Sequence, residues 1–172
     1  MDCVVNPVFL SKINLILAMA HNKQMSSANP GLIVFLVDQS ASMSMNFGGG
    51  KTKADFAATA LNRAVNEIIA ANTSGESVKD RCFIAVIGYG SNVKEECSGY
   101  LSELAASPKR IENLKKKMSD GAGGLIEVDF QLPVWVESEA GGMTPMGDAF
   151  DEAYSLVEGW INQTPDSASP II

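Results

Sequence analysis

A chain of 172 residues with 46% hydrophobic content is long enough for one globular domain with a single core. Thirteen Lys plus Arg against twenty Asp plus Glu leave a net charge of −7, which repels phosphate backbones and anionic lipid and argues against nucleic acid as a partner. No run approaches the roughly 18 consecutive apolar residues of a membrane-spanning helix, and the longest candidate, Ile13 to Ala20, is interrupted by Asn14.

Residues 1–30 read as an N-terminal extension and residues 31–172 as the domain proper. The first apolar stretch is preceded by Asp2 and no cation, unlike the basic start of a secretory leader. Met25 is an alternative start, because a short polar lead then runs directly into a strong strand. Cys3, Cys82 and Cys97 form an odd set without C-x-x-C spacing, which points to a reducing compartment and away from a disulfide framework or a zinc site. The cytoplasm is the expected location, with secretion or a surface location left open.

Leu32 to Val37 is an uninterrupted apolar run after Pro30-Gly31, the pattern of a strand buried on both faces. After a loop rich in Ser, Met and Gly, residues 52–71 carry Phe56, Ala57, Ala60, Leu61, Ala64, Val65, Ile68 and Ile69 at helical spacing. Cys82 to Ile87 is a second apolar run closed by Gly88 and Gly90, so strand, helix and strand compose a βαβ unit.

Ser107-Pro108 predicts the start of a short helix through Met118, on which Lys115-Lys116-Lys117 form a solvated face. Val128, Phe130, Leu132, Val134 and Val136 alternate with polar or bulky partners, a half-buried strand in which Pro133 signals an edge or a bulge. From Pro145 onward, Met146, Ala149, Phe150, Ala153, Leu156, Val157, Trp160 and Ile161 predict a core-facing helix. Ser169-Pro170-Ile171-Ile172 reads as the opening of another buried strand. The expected fold class is therefore α/β: a doubly wound, Rossmann-like, mostly parallel central sheet with helices on both faces.

At the end of the first strand the sequence reads Asp38-Gln39-Ser40-Ala41-Ser42, a carboxylate and two hydroxyls at every second position. In extended or gently curled backbone these side chains converge on one side. Oxygen donors of this kind suit a hard cation, and one carboxylate leaves that cation under-neutralised, with room for a partner's anion. Open α/β sheets also bind ligands beyond the carboxyl ends of their strands.

Asp38-x-Ser40-x-Ser42 after a strand, followed by Gly142-Met143-Thr144-Pro145-Met146-Gly147 opening a later helix, resembles the von Willebrand factor A domain over roughly residues 31–172. The resemblance implies a metal-ion-dependent adhesion site in which Asp38, Ser40, Ser42 and Thr144 hold Mg²⁺, with Mn²⁺ or Ca²⁺ as alternatives. An Asp or Glu of a bound protein would complete the coordination. The family usually adds one more aspartate in a loop after its next core strand, and this sequence ends at Ile172 before such a loop. A fragment of a longer protein is then expected ahead of a short variant with weaker metal affinity. Family members serve bacterial stress responses, metal-insertion complexes and surface adhesion, and the motif does not choose among them.

Other chemistry finds less support. Gly48-Gly49-Gly50-Lys51-Thr52 lacks the earlier glycine of a phosphate-binding loop, that position being Met45. The sole histidine, His21, is remote from Ser40 and Ser42, so a Ser-His hydrolase has no parts, and a phosphohydrolase built on Asp38 lacks a second acid and a basic partner. A metal-independent scaffold, in which the serines and Thr144 only cap helices, stands as the main alternative. Met43, Met45, Met143 and Met146 flank the motif loops, either as an adaptable rim for a partner or as ordinary packing. Neither the partner nor the oligomeric state follows from the sequence.

Overall fold

The computed structural model describes residues 24–172 apart from Ala122, Asp166 and the Lys116 side chain. The expected extension over 1–30 lies outside the described residues up to position 23, as do Cys3 and His21.

In chain order the elements are β1 (Gly31–Asp38), a 3-10 turn (Ala41–Ser44), the small hairpin β2 (Asn46–Gly48) and β3 (Lys51–Thr52), and helix α1 (Lys53–Ala71). A second small hairpin, β4 (Thr73–Ser74) and β5 (Ser77–Val78), leads to β6 (Cys82–Tyr89), β7 (Val93–Tyr100) and the short helix α2 (Leu101–Ala106). Two long strands, β8 (Arg110–Ser119) and β9 (Leu125–Val134), precede helix α3 (Met146–Gln163).

β1 and β6 pair in parallel, from Gly31 opposite Cys82 to Asp38 opposite Tyr89, with α1 as the crossover between them. Both strands are apolar on both faces. Leu32 and Val34 pack with Ala153 and Trp160 of α3, while Ile33, Phe35 and Val37 pack toward Leu61, Val65 and Ile69 of α1. Thr52 begins α1 with a capping box, its hydroxyl accepting from the Asp55 N–H while the Asp55 carboxylate accepts from the Thr52 N–H.

The expected doubly wound parallel sheet is not what forms. The largest sheet has three strands in the order β1-β6-β7, of which only β1 and β6 run parallel; the other sheets are two-stranded antiparallel ribbons. The cause is connection length. Only residues 90–92 join β6 to β7, far short of the dozen or so that a parallel crossover needs, so β7 folds back antiparallel.

The helix expected over 107–118 is likewise replaced by β8. Ile111, Leu114 and Met118 do lie at helical spacing, but pairing with β9, which alternates from Ile126 onward, in a register from Arg110 opposite Val134 to Ser119 opposite Leu125, overrides that local pattern. The three lysines stand on this ribbon, where Lys115 meets Glu127. β9 pairs with β8 alone, so Pro133 sits on an edge strand, as a residue without an N–H requires.

The buried strand expected at the chain's end reduces to one parallel bridge, Ile33 to Ile171, with Ile171 and Ile172 exposed. Helix α3 buries Ala149 and Ala153 but turns Met146, Phe150 and Ile161 to solvent, against the expectation of a wholly core-facing stripe.

The segment after β9 is plugged into the α1 side of the core by polar contacts. Asn62 of α1, 2% exposed, accepts from the N–H groups of Trp135 (2.8 Å) and Val136 (3.1 Å) and donates to the Val136 carbonyl (2.8 Å). The buried Trp135 indole donates to the Leu104 carbonyl at 2.8 Å. Replacing Asn62 by Leu keeps the volume and strands these backbone groups, so Asn62→Leu should lower stability by roughly 2–5 kcal/mol in chemical denaturation. A variant as stable as the parent would refute that role.

Candidate metal site

β1 delivers Asp38 to the end of the sheet, where the chain turns sharply. The Asp38 carboxylate accepts the Ser40 N–H at 2.8 Å, closing a short loop that reverses the backbone. The reversal places the Ser40 hydroxyl, on a residue only 2% exposed, 3.0 Å from the Ser42 hydroxyl. Ser40 occupies the N-cap of the 3-10 turn, yet its side chain makes no capping hydrogen bond.

The second motif loop docks against the first through backbone contacts. The Gly141 N–H donates to the Gln39 carbonyl at 2.8 Å and the Ala41 N–H donates to the Gly142 carbonyl at 3.2 Å. Gly142 is left-handed at φ +69, and a Cβ there would run into the Ser91 backbone, so a glycine is required by both conformation and space. Thr144 follows two residues later and is exposed. Its hydroxyl makes no hydrogen bond to Asp38, Ser40 or Ser42. It does not cap α3 either, since Pro145 holds the N-cap position without a side-chain bond.

Asp38, Ser40 and Ser42 thus share one turn, and the loop that leads to Thr144 docks against it through Gly141 and Gly142. The Ser40 and Ser42 hydroxyls are hydrogen-bonded to each other at 3.0 Å, a separation that neighbouring oxygen ligands of an octahedral ion at roughly 2.1 Å would also have. Among the described residues no three His, Cys, Asp or Glu side chains gather as metal ligands. A cation at this place would therefore depend on one carboxylate and the hydroxyls. The Gly48-Gly49-Gly50 run forms the tip of the β2–β3 hairpin, and Thr52 is committed to the α1 cap. Burial pushes the Cys82 thiol up, and the Cys97 thiol to about 11, so neither is a thiolate at neutral pH.

Beneath the loops lies a polar network that the motif did not announce. In the β6–β7 pairing Val86 faces Cys97 and Ile87 faces Glu95, leaving Glu96 as an extra residue whose side chain is 3% exposed. It accepts from the Gln39 amide at 2.8 Å and pairs with Lys94 at 3.1 Å and Lys109 at 3.2 Å. Lys94 also donates to both carboxylate oxygens of Glu139 at 2.9 Å. Burial raises the Glu96 carboxyl, but the hydrogen bonds from Gln39, Lys94 and Lys109 and the Lys94 charge outweigh it, and the net shift is downward. β7 carries three consecutive charged residues, Lys94, Glu95 and Glu96, so the sequence does not single out Glu96, and only the bulge turns it inward. Gly88 and Gly90 make room for Gln39: a Cβ on Gly88 would meet the Gln39 Cδ at 2.7 Å, and one on Gly90 would meet the Gln39 carbonyl.

Two outcomes are expected here. Gly88→Ala should push the Gln39 amide off Glu96 and cost roughly 1–3 kcal/mol in denaturant unfolding; no loss would mean that the contact contributes nothing. Because the folded Glu96 value is lowered, its contribution is complete above the ordinary glutamate range, roughly pH 4.3, and is lost as pH falls through the folded value. The acid limb of a stability–pH curve should accordingly flatten in Glu96→Gln, and an unchanged limb would count against the network.

No protein-family model, no curated protein and no solved structure is matched by this chain.

Proposed function

We propose that the chain is a divalent-cation-dependent protein-interaction module of the von Willebrand factor A kind. Asp38, Ser40, Ser42 and Thr144 hold the ion, and an Asp or Glu of a partner protein fills its open position. The resemblance to that family is carried by these motif residues alone.

The observation that carries the proposal is the single turn, closed by the Asp38 carboxylate on the Ser40 N–H, that brings the Ser40 and Ser42 hydroxyls into hydrogen-bond contact. Capping, the competing role for the same residues, is not exercised by the Ser40 or Thr144 side chains. Met143 is 84% exposed next to Thr144, and Met146 and Phe150 continue the apolar surface along α3, which suits a partner protein better than a small substrate.

The ligands would supply one formal negative charge to a doubly charged ion, so the bound cation attracts a carboxylate. No nucleophile and base pair stands within the loops, and the module is proposed as non-enzymatic. Among the described residues no helix is long and apolar enough to cross a membrane. The cytoplasm is the proposed setting, on the strength of the unpaired Cys82 and Cys97.

Calorimetric titration of Mg²⁺ and Mn²⁺ into the chain should give saturable binding that disappears in Asp38→Ala and weakens in Thr144→Ala, both variants keeping the parent's far-UV spectrum. A folded parent chain that takes up neither ion would sink the proposal. Partner capture surviving a chelator would instead favour the metal-independent scaffold.

A further inference from the structure

The two motif loops are joined twice, once by backbone and once by side chains, and the second connection runs through a buried carboxylate. We propose that Lys94, Glu96 and Glu139 position the two ligand loops relative to one another, acting through Gln39, and so set the affinity of the cation site. The inference rests on the metal-site proposal above.

The path is continuous. Gln39 lies between Asp38 and Ser40, is 5% exposed, and donates its amide to Glu96 at 2.8 Å. Glu96 pairs with Lys94 at 3.1 Å, and Lys94 grips Glu139 with two contacts of 2.9 Å. Glu139 opens the loop whose Gly141 and Gly142 bond to Gln39 and Ala41 and which carries Thr144.

A buried carboxylate is costly unless it is fully paired. Glu96 therefore dictates where Gln39, Lys94 and Lys109 must sit. The Lys94–Glu139 contact on its own, between side chains 35% and 46% exposed, would be a weak surface pair. Sharing Lys94 with Glu96 makes it directional, because the ammonium is already fixed on one side. Residues that orient ligands from behind commonly change metal affinity by 10–100-fold when removed.

The roles separate experimentally, since Glu139 reaches solvent and can be replaced without unpairing the buried Glu96. Lys94→Met and Glu139→Gln should each weaken Mg²⁺ binding by roughly tenfold in calorimetric titration of the full chain; the thermal midpoint should stay close to the parent's in Glu139→Gln and fall in Lys94→Met, which takes a partner from the buried Glu96. Lys94→Arg, which can still pair with both carboxylates, should restore most of the affinity. In the absence of added ion, Lys94→Met should also speed amide hydrogen exchange at Ala41 and Gly141 selectively. Parent-like affinity and exchange in Lys94→Met and Glu139→Gln would overturn the positioning role while leaving the metal site standing. A parent chain that binds no Mg²⁺ or Mn²⁺ would remove both.

Discussion

The parallel pairing of β1 with β6 is the constraint from which the rest of the molecule is built. Each strand is apolar on both faces, so the pair must be covered on both, by α1 and α2 on one side and α3 on the other. The register also fixes the site. It ends with Asp38 opposite Tyr89, and the next hydrogen bond, from the Gln39 N–H to the Tyr89 carbonyl at 2.7 Å, turns Gln39 over β6. Everything beyond that point is anchored to a strand end that cannot shift without exposing the core: the Asp38 turn, the serine pair and the docking of the Gly141–Gly142 loop.

Glycine and charge then do what apolar packing cannot. Gly88, Gly90 and Gly142 clear the space in which Gln39 and the second loop sit. Glu96 fills the resulting polar seam with a carboxylate held by three donors. The seam lies on the β6–β7 side of the Asp38–Ser42 loop, so the loop is fastened from below, with Ser40 buried and Ser42 exposed.

The parts legible in the sequence were those encoded locally. The β1 and β6 runs, the α1 stripe with its Thr52 start, and the α3 helix after Pro145 each announce themselves within a short window. Long-range pairing was not legible. Residues 110–119 carry a spacing that a helix could use, and only their partner at 125–134 makes them a strand. The same holds for the sheet as a whole, since the three-residue turn after β6 decides the direction of β7 and with it the loss of a doubly wound architecture. At the site, the Asp-x-Ser-x-Ser spacing located the turn that brings Asp38, Ser40 and Ser42 together, while the Gln39–Glu96 contact depended on a bulge that no periodicity reveals.

The β8–β9 ribbon has a different standing from the rest of the chain. Its base is locked by Leu132 and Val134, both buried, but toward the turn Met118, Leu125, Ile126 and Val128 are all exposed, Leu125 to 71%. Opening the far half releases little buried surface, so its cooperativity with the core is low and it behaves as a separate unit of local unfolding. Two free edges and an uncovered apolar face also make it the segment best able to template strand pairing with another chain. The molecule thus combines a sheet end pinned by buried pairing with an arm whose far half is ordered by its own strand pairing.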